Sequence, residues 1–203
     1  MAKPTTVKEA IKAFETEKMV KATDESKVQL YGLCPPIEKM DATLSTLKAC
    51  KHLALSSNNI EKISSLSGMD NLVILSLGRN LIKKIENLDG VADTLEELWL
   101  SYNQITSLSN IDKLTKLKVL YVANNKIAAY SELEKLSANE ALEELQLRGN
   151  PVYEAAKEGG ATPDSIGSAY RIEVLKRLPN LKKLDGIPID ADERDAAAAA
   201  GAE

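Results

Sequence analysis

The sequence predicts an α/β solenoid: short parallel strands on one face, short helices or 3₁₀ turns on the other, and a helical cap at each end. Three observations carry this reading. A leucine-and-asparagine pattern recurs every 22 to 25 residues through the middle of the chain. Apolar residues make up 44% but aromatics only 4%, so aliphatic side chains must fill the interior. Segments of helical period flank the repeats on both sides. The 203 residues suffice for one domain with a proper core.

The N-terminal cap is expected over residues 1–27. Thr6 and Glu9 have the spacing of a capping box, in which each side chain satisfies a backbone N–H of the first turn. Val7, Ala10, Ile11 and Phe14 then fall on one helical face, which should cover the first repeat.

The repeats occupy residues 28–153. "CKHLALSSNNIEKI" holds Leu53, Leu55, Asn58, Ile60 and Ile63. "LVILSLGRNLIKKI" holds Leu72, Leu75, Leu77, Asn80, Ile82 and Ile85. "LEELWLSYNQITSL" holds Leu95, Leu98, Leu100, Asn103, Ile105 and Leu108. "LKVLYVANNKIAAY" holds Leu117, Leu120, Val122, Asn125, Ile127 and Tyr130. "LEELQLRGNPVY" holds Leu142, Leu145, Leu147, Asn150 and Val152. A worn copy precedes them: "IEKM" at Ile37–Met40 matches "IEKI" at Ile60–Ile63, and Leu30 takes a core position. There Pro35 replaces the asparagine, so an irregular turn is expected.

This is the leucine-rich repeat, L-x-x-L-x-L-x-x-N-x-I, in about six copies with the first degenerate. Each part has a physical reason. The L-x-L segment is a strand with alternate side chains inward. The asparagine turns the chain and, being polar and buried, should hydrogen-bond the backbone of the turn. The following aliphatic stretch returns as a short helix or 3₁₀ turn. One repeat cannot bury its leucines alone; stacking builds a continuous core and leaves open ends that need caps.

Residues 154–189 are expected to form a polar loop, containing Gly159–Gly160, and a C-terminal helical cap. Tyr170, Val174 and Leu178 share a helical stripe, Pro179 ends the helix, and Leu181 and Leu184 imitate a last L-x-x-L. Residues 190–203 begin acidic and run into poly-Ala. Alanine favours helix, yet little apolar face remains for the solenoid, so this tail is expected to project or fray.

The register identifies the free face. The residue between the two inward leucines of each strand points outward, as do those flanking the pair. The middle column is Ala54, Ser76, Trp99, Tyr121 and Gln146; the preceding one His52, Ile74, Glu97, Val119 and Glu144; the following one Ser56, Gly78, Ser101, Ala123 and Arg148. Arg79, Tyr102 and Asn124 border the turn side. Trp99, the only tryptophan, should therefore sit outside beside Tyr121, with Ile74 and Val119 diagonally near, on strands about 4.8 Å apart. An aromatic centre rimmed by Arg79, Glu97, Glu144 and Arg148 has the composition of a protein interface.

Other chemistry has little raw material. The single histidine, His52, reads as a surface residue, and no further ligands are spaced for a metal or cofactor. Cys34 and Cys50 are too few for a disulfide scaffold and read as reduced filler thiols in a cytosolic chain without a signal-like start. No window approaches the roughly 18 apolar residues of a membrane span. No phosphate-binding glycine loop, nucleophile elbow or zinc helix occurs. The net charge of −4 argues against nucleic acid as a partner. Lys176, Arg177, Lys182 and Lys183 form one modest basic cluster.

The segments "PPIEKMDATLSTLKACKHLALSSNNIEKISSLSGMDNL" and "YRIEVLKRLPNLKKLDG" carry a family likeness beyond the repeats. From residue 1 to about 195 the chain closely resembles the leucine-rich-repeat light chain of axonemal outer-arm dynein; the poly-Ala end has no counterpart. The resemblance implies a non-enzymatic subunit of the ciliary or flagellar axoneme, without cofactor. It implies binding to the motor region of a dynein heavy chain near its microtubule-binding stalk, by an apolar patch on the sheet face. Here that patch would comprise Ile74, Ser76, Arg79, Glu97, Trp99, Ser101, Tyr102, Val119, Tyr121, Glu144, Gln146 and Arg148. It also implies a regulatory contact at the C-terminal helical end, for which Lys182, Lys183, Asp190 and Arg194 are the candidates, with tubulin or the microtubule as a further partner. The isolated chain is expected to be monomeric. The repeats alone leave two other readings open, a regulatory subunit of a protein phosphatase and an RNA-particle scaffold.

Overall fold

A computed structural model of the chain describes residues 3–158 and 162–201. The Gly159–Gly160 pair, the first two residues and the last two of the tail lie outside the described residues. Eight short strands form one sheet in chain order: β1 (Lys27–Gln29), β2 (His52–Ala54), β3 (Ile74–Ser76), β4 (Glu97–Trp99), β5 (Val119–Tyr121), β6 (Glu144–Gln146), β7 (Lys183–Leu184) and β8 (Ile187–Pro188). β1 to β7 run parallel, and β8 folds back antiparallel on β7. Among the described residues four α-helices accompany them: α1 (Val7–Lys18), α2 (Pro151–Ala155), α3 (Ala169–Arg177) and α4 (Ala191–Ala200).

The expected register holds throughout. Leu53, Leu75, Leu98, Leu120, Leu145 and Leu184 are successive strand partners, all fully buried. Burying each such side chain contributes about 1.5–3 kcal/mol, which no single coil could collect by itself. The returning segments are 3₁₀ turns at Ala42–Thr46, Asp89–Val91 and Tyr130–Leu136, and plain turns elsewhere.

Asparagine makes the stack periodic. Asn103 donates from Nδ2 to the carbonyls of Leu77 and Leu100, and its Oδ1 accepts the N–H of Ile82. Asn58, Asn80, Asn125 and Asn150 repeat this pattern one coil apart. Each carboxamide thus fastens its own turn to the coil before it. Within the degenerate first copy, Leu30 and Ile37 are buried, and the Cys34–Pro35 bond is cis.

Both ends are closed. Thr6 and Glu9 form the capping box of α1, and Val7, Ala10, Ile11 and Phe14 are buried against the first coil. At the other end Asp185, directly after β7, satisfies the edge of the last coil. Its Oδ1 accepts the N–H groups of Leu147 and Arg148, and its Oδ2 accepts the hydroxyl of Tyr170. Tyr170, Val174 and Leu178 are buried, as their stripe predicts.

The tail corrects an expectation. Residues 191–200 neither project nor fray; α4 packs on α3. Ala197 is buried, and Glu193 forms an ion pair with Arg171. Docking rests on that pair rather than on an apolar stripe, which is why hydrophobic periodicity gave no sign of it. Cys50 is buried, and burial pushes its thiol up to about 11; Cys34 is exposed.

A candidate protein-binding face on the sheet

Strand pairing aligns Ser76, Trp99, Tyr121 and Gln146 in one row across β3 to β6. Ile74, Glu97, Val119 and Glu144 align beside them. Trp99 is half-buried on this outer face, while its neighbours Leu98 and Leu100 are fully buried. Its ring stacks on Tyr121, with centroids 5.8 Å apart and planes at 23°. On its other side it meets His52 at 5.5 Å and 73°.

The two rings are held at their polar ends. The indole Nε1 donates to Glu97 Oε2 at 3.0 Å, and the Tyr121 hydroxyl donates to Glu144 Oε1 at 2.9 Å. Burial, reinforced by the Glu144 carboxylate, pushes the Tyr121 phenol up to about 12, so it stays a donor at any physiological pH. Lys183 reaches the same Glu144 oxygen at 3.2 Å. The polar edges are thereby satisfied and the apolar faces remain for contact.

Several of the expected site residues behave differently. Ser76 points outward in the middle column, yet it is only 5% exposed. Trp99 on β4 touches His52 on β2, so its ring lies across β3 and roofs over Ser76. Glu97 and Glu144 are not free rim charges but the hydrogen-bond anchors of the two rings. Arg148 turns toward the C-terminal cap, pairing with Asp164 at 2.6 Å. Arg79 lies over the ring of Tyr102, 4.3 Å from its centroid, and that exposed stack marks the turn-side edge. Ile74, Val119 and Gln146 are half-buried on the face as expected, and Ser101 is half-buried with its hydroxyl enclosed and unpartnered among the described residues.

The candidates for a second contact have internal partners. Lys182 pairs with Glu143 and Lys183 with Glu144. Asp190 caps the N-terminus of α4, and Arg194 donates to the carbonyls of Pro179 and Leu181. Lys176 and Arg177 both pair with Glu173. The basic cluster of the sequence is therefore largely neutralised within the fold.

Among the described residues no group of three or more His, Cys, Asp or Glu side chains could hold a metal, and no helix is long and apolar enough to cross a membrane. The sequence placed His52 in the outer row but gave no hint of its contact with Trp99, because that contact skips a strand.

A stack of asparagine-fastened coils with an aromatic pair on its sheet face defines a leucine-rich-repeat solenoid. The model of the leucine-rich repeat family matches residues 7–123, and a second model, for two copies of leucine rich repeats, matches residues 93–154. Over 197 residues the chain is 69% identical to dynein axonemal light chain 1 of Chlamydomonas reinhardtii, covering 97% of each chain. The chain belongs to the dynein axonemal light chain 1 family, whose place is the axoneme of the cilium or flagellum.

More distant members agree: the Danio rerio protein is 49% identical over 195 residues, covering 96% of this chain and 97% of that one. The Homo sapiens protein is 46% identical over 196 residues, covering 96% and 99%. Among solved structures, internalin C2 of Listeria monocytogenes superposes with a TM-score of 0.53 at 26% identity, covering 73% of this chain and 58% of that one. The Drosophila melanogaster SNF/U2A′ complex gives 0.53 at 22% identity, covering 85% and 79%, a likeness of fold alone.

Proposed function

We propose that the chain is a non-catalytic light-chain subunit of axonemal outer-arm dynein. It binds the motor region of a dynein heavy chain near the microtubule-binding stalk and tethers or tunes the motor there. The sheet face is the docking surface, and the stacked Trp99–Tyr121 pair is the observation that carries this reading. An aromatic ring buries about 150–250 Å² when covered. Both rings are already fixed by hydrogen bonds, so little side-chain freedom is lost on binding. On this reading ATP-driven work belongs to the partner, and the isolated chain turns over no ATP. The light chain would then lie where the stalk meets the microtubule, with tubulin as a second surface within reach.

The test is the affinity of the purified chain for a heavy-chain motor fragment. Trp99→Ala is expected to weaken binding at least about thirtyfold, the loss typical of a hot-spot aromatic, with circular dichroism unchanged. An unaltered Kd in a folded variant removes the sheet face as the docking surface.

A further inference from the structure

His52 is the only histidine, and it occupies an unusual seat. It belongs to β2, two strands from Trp99, yet the two rings meet at 5.5 Å and 73°. With Tyr121 stacked on the other side, the indole is flanked along the sheet by His52 and Tyr121. Ser76 lies beneath, 5% exposed, and a serine hydroxyl offers the indole no packing bulk of its own. On β3 Ile74, the strand partner of both His52 and Glu97, shares this face with Ser76, and the flanking rings and the Glu97 carboxylate hold the indole at its sides and polar edge.

The imidazole itself is tightly placed. Its Nε2 is closed to solvent and has no hydrogen-bond partner among the described residues. Its strand partners are Lys27 on β1 and Ile74 on β3. Lys27 repels a positive charge there, and Ile74 offers none to balance it. On its own segment the neighbour Lys51 is exposed and also cationic. Beyond the indole, the Glu97 carboxylate of β4 is bonded to Trp99 and the Tyr121 hydroxyl of β5 to Glu144. A second ring proton would thus be an enclosed donor without an acceptor, beside a lysine. Burial and Lys27 accordingly hold the imidazole below its ordinary range.

We propose that His52 is a positioning residue for the docking face: its neutral ring, seated against the indole, holds Trp99 over Ser76 in the orientation that stacks on Tyr121. Protonation expels the ring from its seat, and Trp99 loses one of its two flanking walls. The face is then competent for its partner at neutral pH and loosens in acid. The effect on binding rests on the sheet-face reading above; the effect on Trp99 does not.

The single tryptophan makes the test direct, because all indole emission comes from residue 99. Fluorescence of the free full chain is followed from about pH 8 to about pH 4.5, with circular dichroism as a control for folding. Wild type is expected to lose intensity and shift to longer wavelength along one titration, with a midpoint below the ordinary imidazole range. His52→Phe keeps a planar wall and every other titrating group, and is expected to abolish that titration while retaining the neutral-pH spectrum. His52→Ala is expected to show the red-shifted spectrum at all pH values and to bind the heavy-chain fragment about two- to tenfold more weakly, the value of one aromatic pair. A titration that persists in His52→Phe, a flat profile in folded wild type, or an unshifted spectrum in His52→Ala overturns the proposal. These spectra stand even if Trp99→Ala binds normally, which would remove only the sheet-face reading.

Discussion

Arg171 and Glu193 face each other inside the C-terminal cap, each 1% exposed, with Nε 2.5 Å from Oε1 and Nη2 2.9 Å from Oε2. The carboxylate also accepts the N–H groups of Gly167 and Asp190, and the guanidinium donates to the carbonyls of Leu184 and Pro188. One pair therefore ties α4 to α3, to the loop before α3 and to the β7–β8 hairpin. Glu193→Ala leaves a buried guanidinium without its counter-charge and should cost about 3–5 kcal/mol. The urea midpoint should fall accordingly, and limited proteolysis should release α4 first.

The same pair sets an acid limit. Burial alone would raise the Glu193 carboxyl, but Arg171 and the backbone N–H groups of Asp190 and Gly167 overrule it and bring it down to about 2. The folded value lies below the ordinary 4.5, so the unfolded chain binds the proton more readily. The stabilisation is complete above the ordinary value and is lost as the pH falls from there toward about 2. Wild type and Glu193→Gln should accordingly differ most in Tm near neutrality, and the difference should shrink across that window. A constant difference down to the acid end would contradict the assignment.

Asn103 tests the stacking device. Asn103→Ala strands the Ile82 N–H and removes the Nδ2 bonds to Leu77 and Leu100. Each buried group left unmade costs about 1–3 kcal/mol, so a total loss of about 2–4 kcal/mol is expected. Because neighbouring coils depend on one another, unfolding should stay cooperative, with a lower urea midpoint and an unchanged slope.

These devices differ in how readily the sequence discloses them. The asparagine ladder was legible because its spacing is locked to that of the leucines, and the outward position of Trp99 followed from the same lock. The roofing of Ser76 was not, since it depends on a ring arriving from the next coil. Nor was the engagement of Glu97, Glu144 and Arg148, because strand periodicity fixes which face a side chain leaves from and not where its tip ends. The docking of α4 was hidden for a different reason. A helix held by one ion pair, the Arg194 bonds to Pro179 and Leu181, and Ala197 carries no hydrophobic period, so composition alone suggested a loose tail.

The docking face can be separated from an accidental aromatic cluster by a double-mutant cycle on Trp99 and Tyr121. The rings stack at 5.8 Å, and each is anchored by a different carboxylate, so either can be removed without taking the other's hydrogen bond. If the partner covers both as one surface, truncating one spoils the seat of the other. The two single losses in heavy-chain affinity should then sum to more than the double loss, by a coupling of about 0.5–1.5 kcal/mol. Tyr121→Phe supplies the control. It keeps the stack, gives up only the bond to Glu144, and leaves that carboxylate paired with Lys183. Its affinity should stay within about threefold of wild type, since a partner reading the ring faces gains little from a hydroxyl already bonded within the chain. Independent additive losses, or a Tyr121→Phe loss as large as that of Tyr121→Ala, would mean that the partner reads the polar edges of this face instead.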